Sequence, residues 1–468
     1  MNWELDRSAP VLASSYFWTW DHSTNWVLDD PGILNFGCTN KYMKQAETFV
    51  EDYRRLTDLA SGLGVKGIVI WGFLRDSHGG IDAAKQVCDY ASSKGVVIMP
   101  GLGTNWYGGA YYDGDHQYSM RNFLSTYPEA AMVIESHAGM EDELGACPLH
   151  PAYLDWLREG IDWLFSEFNI GGMNIENGDF VVCRCPRCET HRETWPENDP
   201  DFFRMQALAY LPALEQLADQ MNDKLITWAT YTSFSFGLPL RHPDPDWPYL
   251  GEAIPSVVQQ APQASLAQWT LTGVVHEPGL PLAAYLDNGA PEEVFDNKYW
   301  PADLMPPVKR STGFLHQASQ WCPGYTTDRY RQMISTIKEG CLRASRAGLE
   351  GLSIHGEVTS RHIPWALNYL AFSHFIHQPE DSLRAFGRKT LGAVLKSEAD
   401  GELFVEALCS IEERTLGNDL KQALASRRKT LTQNVNRGAF EDIEPLHFWQ
   451  WLDRMALGAV ETDTASFF

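Results

Sequence analysis

Positive charge is what this chain has least of. It carries 37 Lys and Arg against 61 Asp and Glu, a net charge of −24. Nucleic acids and anionic membranes are bound through basic patches, so both are excluded as expected partners. No run of about 18 apolar residues is present, so no transmembrane helix is expected. The opening "MNWELDRSAPVL" has neither a basic n-region nor an apolar h-region, so no signal peptide is read and a cytoplasmic location is expected. A GxGxxG after a first strand is missing. So is a phosphate-cradling Gly loop. No HxH or HExxH pattern appears among the 14 His. "YYDGDH", with Asp113 and Asp115, is too short for a calcium loop. No repeat longer than a strand–helix unit and no low-complexity tract is present.

What is abundant is apolar and aromatic. Hydrophobic residues make up 44% of the 468 positions, enough for a large core. Eight short apolar runs stand out: "VLASSYFWTW", "GIVIWGF", "GVVIMPGLG", "GGMNIENG", "LITWATYT", "SLAQWTL", "TGFLHQAS" and "GLSIHGE". Amphipathic helical patterns such as "AAKQVCDYASSKG" and "YLDWLREGIDWLFSEF" separate most of them. Short buried strands alternating with helices predict a parallel sheet. Eight units over about 360 residues predict an α/β (β/α)8 TIM barrel. Past residue 360 the pattern turns helical with no strand signals, so the expected organisation is a catalytic barrel over 1–369 and an α-helical C-terminal region over 370–468. Irregular segments near 105–150 and 235–310, rich in Gly, Pro, Trp and Tyr, are expected to carry function.

Active sites of such barrels lie at the C-terminal strand ends. Six of the eight ends carry a Trp, from a total of 17. One or two of them plug the mouth. The cluster with polar neighbours indicates a carbohydrate site, because aromatic faces cover the apolar faces of sugars while amides, carboxylates and imidazoles bind the hydroxyls. The candidate substrate-binding residues are Trp20, Asp21, His22, Trp71, Asp76, His78, Trp106, Asp179, Trp228, Trp269, Gln317, Trp321 and Glu357. Asp21, Asp76 and His78 give a lean toward a galacto-configured sugar with an axial O4.

Strand four ends in Asn174-Ile175-Glu176. Side chains alternate along a strand, so Asn174 and Glu176 point the same way. Glu176 is the candidate proton donor, since an apolar setting raises a carboxyl pKa toward the range a general acid needs. Asn174 is no nucleophile, but it can orient a 2-acetamido group whose own oxygen attacks the anomeric carbon.

The stretch "FNIGGMNIENG" resembles the strand-four motif of the family 85 endo-β-N-acetylglucosaminidases, within the wider β-N-acetylhexosaminidase clan. That resemblance implies retaining, substrate-assisted hydrolysis through an oxazoline, with Asn174 orienting the acetamide, Glu176 as acid then base, and Tyr231 of strand five assisting. It covers about a dozen residues plus the barrel outline, and no C-terminal β-sandwich is visible. The expected activity is therefore an exo-acting β-N-acetylhexosaminidase on β-GalNAc or β-GlcNAc. A weaker resemblance, carried by "ENGDFVVCRCPRC" and "NYLAFSHF…QPEDSLRAFG", is to barrels related to α-glucuronidases. It implies two carboxylates, with Asp179 or Glu357 activating water and Arg75 or Arg361 holding a uronate. A third reading is a non-catalytic sugar-binding barrel.

Most of the nine Cys are scattered, as reduced buried thiols would be. Four potential ligands cluster after strand four: Cys183, Cys185, Cys188 and His191. Three thiols and an imidazole suit a tetrahedral structural zinc. All four fall within nine residues, so a remote residue is an alternative fourth ligand.

Overall fold

The computed structural model describes residues 3, 5, 9–21, 45–105, 112–134, 145–176, 183–194, 201–233, 260–270, 280–294, 310–315, 332–355 and 363–461, apart from the side chains at 20, 201–206, 229–233, 270, 355 and 458–461. Eight parallel strands close into a barrel in sequence order. They are β1 Tyr16–Trp20, β2 Gly67–Trp71, β3 Val97–Leu102, β4 Gly172–Glu176, β5 Leu225–Ser233, β6 Leu266–Thr270, β7 Ser311–Leu315 and β8 Gly351–His355. Six lie inside the apolar runs, and β5 and β7 overrun theirs by one residue, Ser233 and Ser311. Closure comes from β8 pairing with β1, with Ser353 opposite Tyr16.

The two strand faces bury different things. Outward residues such as Phe17, Ile68, Ile98, Met173 and Ile175 pack into the core shared with the helices. Inward residues Tyr16, Trp18, Val69, Trp71, Met99 and Phe314 form a separate interior cluster. Both faces are dry, which is why these strands read as apolar runs rather than as alternating patterns.

The helical shell includes α1 Ala46–Gly62, α2 Gly80–Ser93, α3 Met120–Thr126, α4 Pro151–Glu167, α5 Pro186–Arg192, α6 Asp201–Gln216, α7 Ile334–Arg346 and α8 Ile363–His377. All fifteen residues of α8 are buried. Its Tyr369 and Phe372 meet Phe17 of β1 at ring distances of 4.9 and 6.2 Å. Its His374 and Phe375 meet Phe386 on the C-terminal side, at 5.4 and 5.6 Å. A helix apolar all round is one enclosed on every side. It runs across residues 369 and 370, where the division from the helical region is expected, and the next helical segment starts after Ser382. There Ser382 and Ser397 cap the following helical segments, their hydroxyls accepting from the backbone N–H of Ala385 and Asp400. The rest of that region is α9 Glu398–Glu412, α10 Asn418–Asn436 and α11 Ile443–Glu461. No helix among the described residues is long and apolar enough to cross a membrane.

Candidate active site

Asn174 opens the site from below. It faces the barrel interior and is fully buried. Its amide donates to Thr227 Oγ1 at 2.8 Å and to Gln268 Oε1 at 3.1 Å. Its oxygen accepts from Trp18 Nε1 at 3.3 Å. Gln268 passes the chain on to Ser353 Oγ at 2.9 Å. Five strands (β1, β4, β5, β6 and β8) are thus tied by one polar layer. Both amide hydrogens of Asn174 are engaged, so the layer is a floor whose members satisfy one another.

Glu176 stands one inward position higher on β4, at its C-terminal end, and is 2% exposed. Its backbone pairs with Ala229 of β5. The expectation that Asn174 and Glu176 share the inward face is met by the alternation: Met173 and Ile175 between and beside them pack outward.

The same alternation corrects two expected sugar platforms. Thr227 and Gln268 point inward, so Trp228 and Trp269 point outward. Trp228 stacks on Tyr210 of α6 at 5.3 Å and donates from its indole to Ser265 Oγ at 3.1 Å. Trp269 donates to Ser311 Oγ at 3.0 Å. Each is 1% exposed. They hold the strands to the helical layer and do not reach the mouth. Trp71 does face inward, beside Trp18 at 5.8 Å, but has no exposed surface. It lies flat against β3, where a Cβ on Gly101 would sit 2.6 Å from the indole. Only glycine gives that ring its place.

The β1 and β2 ends form a charged knot. Asp21 is 3% exposed. Its Oδ2 lies 2.8 Å from Arg75 Nε and 3.6 Å from His78 Nε2. Arg75 also binds Asp113 at 2.6 Å, so its charge is already shared by two carboxylates. Gly72, at φ +77, bends the chain here, and a Cβ on it would meet the Asp21 carboxylate at 2.4 Å. Asp76 accepts from Tyr112 Oη at 2.6 Å and from the backbone N–H of Asp115 at 3.0 Å. Those bonds, the Tyr112 one foremost, hold its carboxyl below the usual range. His78 is fully buried, stacked on Phe49 of α1 at 3.8 Å, and donates from Nε2 to the Gly72 carbonyl at 2.8 Å. Asp76 and His78 therefore hold the loop after β2 together, and His78 has no surface left for a sugar. Of the three residues behind the galacto lean, His78 is buried in this loop, and Asp21 and Asp76 are held by partners within the chain.

Burial pushes the His78 imidazole below its ordinary 6.5, against the smaller opposing pull of Asp21. The unfolded chain then takes up this proton first as pH falls. The stability His78 contributes is whole above 6.5 and drains away as pH drops through that value toward the folded one. Urea midpoints should fall between about pH 7.5 and about pH 5.5, and His78→Gln, which keeps a donor for Gly72, should flatten that fall. An unchanged slope in the variant contradicts the assignment.

Trp20 lies on β1 opposite Trp71, and Tyr231 lies on β5, where the pairing with β6 shifts register between Ala229 and Ser233. The side chains of both are outside the described residues, as are His22, Trp106, Asp179, Gln317, Trp321, Glu357 and Arg361.

Beyond Glu176, the cysteine cluster has a different membership from the expected one. Among the described residues the sulfurs that come together are those of Cys147, Cys183, Cys185 and Cys188, all within 4.8 Å of one another. His191 is outside the group. No spacing cue in the sequence marks Cys147, which sits alone in "GACPLH".

No protein-family model matches the chain. No curated protein matches it in sequence. Among solved structures it is similar to a GH138 enzyme targeting pectin rhamnogalacturonan II, at 9% identity over 87% of this chain and 44% of that one, with a TM-score of 0.47. It is similar to a β-N-acetylhexosaminidase from Bacteroides fragilis at 13% identity, covering 71% of this chain and 65% of the other, with a TM-score of 0.34. A third is the GH20 exo β-N-acetylglucosaminidase of Vibrio harveyi, at 9% identity, 84% and 57% coverage and a TM-score of 0.42. The chain spans less than two thirds of the length of each. Its barrel is established by its own strand pairing.

Proposed function

We propose that this chain is a glycoside hydrolase in which Glu176 gives its proton to the leaving oxygen. One observation carries the reading: an inward-facing carboxyl, 2% exposed, at the C-terminal end of a barrel strand and above a polar floor that pins that strand. Cleaving a glycosidic bond needs such an acid, together with a second group that stabilises the oxocarbenium-like carbon.

For the second group, the sequence motif supports a 2-acetamido sugar acting on itself. The enzyme is then an exo-acting, retaining β-N-acetylhexosaminidase working through an oxazoline, with Asn174 and Glu176 on one inward face. The engagement of both Asn174 amide hydrogens by Thr227 and Gln268 favours a second reading. In it Asn174 positions β4, and a second carboxylate does the work. Among the described residues, Asp21 is the buried carboxylate at the mouth, and Asp179 and Glu357 are the sequence candidates.

A panel of nitrophenyl glycosides separates these: β-GlcNAc, β-GalNAc, β-Gal, β-Glc, and α- and β-glucuronides. Cleavage confined to the 2-acetamido sugars is the result expected of substrate assistance. Cleavage of plain hexosides or glucuronides transfers the role to a carboxylate. Absence of turnover together with absence of sugar binding overturns the glycosidase reading.

A further inference from the structure

We propose that Cys147, Cys183, Cys185 and Cys188 form a tetrahedral four-thiolate zinc site that ties the loop after β3 to the loop after β4. The inference stands on the sulfur geometry and does not depend on what Glu176 does.

The distances come first. Cys147 Sγ lies 3.6 Å from both Cys185 Sγ and Cys188 Sγ, and all four sulfurs fall within 4.8 Å. A tetrahedral zinc with Zn–S bonds of about 2.3 Å holds its sulfurs about 3.8 Å apart. A disulfide requires about 2.05 Å, so these sulfurs are close without being bonded, and all four are free thiols. Thiols are poor hydrogen-bonding groups and gain little from one another. Four of them in one small apolar pocket, with Met132, Leu149 and Leu208 packed around, make sense as a ligand set.

The charge around the cluster supplies the next observation. Four thiolates on one zinc leave a charge of −2. In a chain that is acidic overall, the stretch from Cys183 to Thr194 carries three Arg against two Glu; Arg184 and Arg192 pair with Glu189, and Arg192 also donates to the Cys183 carbonyl at 3.1 Å.

The fold explains how a residue so distant arrives. Ala146 forms an antiparallel bridge with Ala131, and Cys147 N–H donates to Ala130 O at 2.8 Å. Ala146 N–H donates to the Asn105 carbonyl at 2.8 Å, and Asn105 Nδ2 returns a bond to Ala146 O at 3.2 Å. Asn105 lies just past β3. On the other side, Arg184 N–H donates to Val133 O at 2.7 Å. Binding displaces four thiol protons to solvent and cross-links these segments at the barrel mouth.

The test is metal content and coordination, neither of which requires turnover. Wild-type protein purified without chelator should hold about one zinc per chain. Cys147→Ser and Cys188→Ser should lose it by more than the roughly 10- to 100-fold that removing an outer-shell partner costs. His191→Ala and Cys88→Ser should keep it. If a serine variant fails to fold, cobalt-exchanged wild type decides: four-sulfur tetrahedral coordination gives intense visible d–d bands and strong thiolate charge transfer. Weak bands without charge transfer overturn the proposal. So does zinc that survives Cys147→Ser but leaves with His191→Ala. A Cys185–Cys188 disulfide found by mass spectrometry in freshly isolated protein does so as well.

Discussion

Glu176→Gln should lower glycoside turnover by about 10²- to 10⁴-fold while leaving the fold intact, the range a general acid contributes. Glutamine keeps the shape of the side chain and its place on the inward face of β4. It cannot release a proton to a leaving oxygen. The bonds that tie the floor together, among Trp18, Asn174, Thr227, Gln268 and Ser353, should remain. The loss should therefore fall in kcat, with KM and the melting curve near wild type. Steady-state kinetics on the best substrate of the glycoside panel measure it. A variant as active as wild type would remove Glu176 from the chemistry.

Trp228→Ala should have the largest effect on stability, about 3–5 kcal/mol, the range for removing a buried Trp or Phe. The indole is 1% exposed and stacked on Tyr210 at 5.3 Å, with Trp269 edge-on at 6.5 Å. Truncation leaves a cavity between β5 and α6. It also removes the donor to Ser265 Oγ, which still donates to the Pro262 carbonyl at 2.7 Å. The folded fraction should bind sugar as wild type does, because Trp228 faces the helices. A sugar platform would behave in the opposite way, with a raised KM and little change in the urea midpoint. Denaturation curves and KM, taken together, decide between these outcomes.

All eight strands were legible, because a parallel barrel buries both strand faces and writes each strand as an apolar run. The inward pairing of Asn174 with Glu176 was legible for the same reason: a period of two needs only the strand's extent. Which strand-end tryptophans face the mouth was not. In "LITWAT" every residue is compatible with a dry face, so the sequence does not say which alternate set is inside. Register across the barrel settles it, by placing Thr227 opposite Asn174 and sending Trp228 outward. Asp76 and His78 read as hydroxyl binders because residue type carries no record of partners. Tyr112 and Phe49, which occupy them, come from other parts of the chain. Cys147 was illegible because its neighbours in space, Cys185 and Cys188, lie 38 and 41 residues away. Three of the four thiols announced themselves by spacing. The fourth is brought by the bridge between Ala131 and Ala146.

The most direct test of Glu176 as proton donor is the leaving-group dependence of Glu176→Ala on the sugar the panel selects. A dinitrophenyl leaving group departs without help, and an alkyl or sugar leaving group needs the proton. The account predicts near-wild-type cleavage of the dinitrophenyl glycoside and a loss of about 10²-fold or more on the unactivated substrate. An equal loss on both would contradict it.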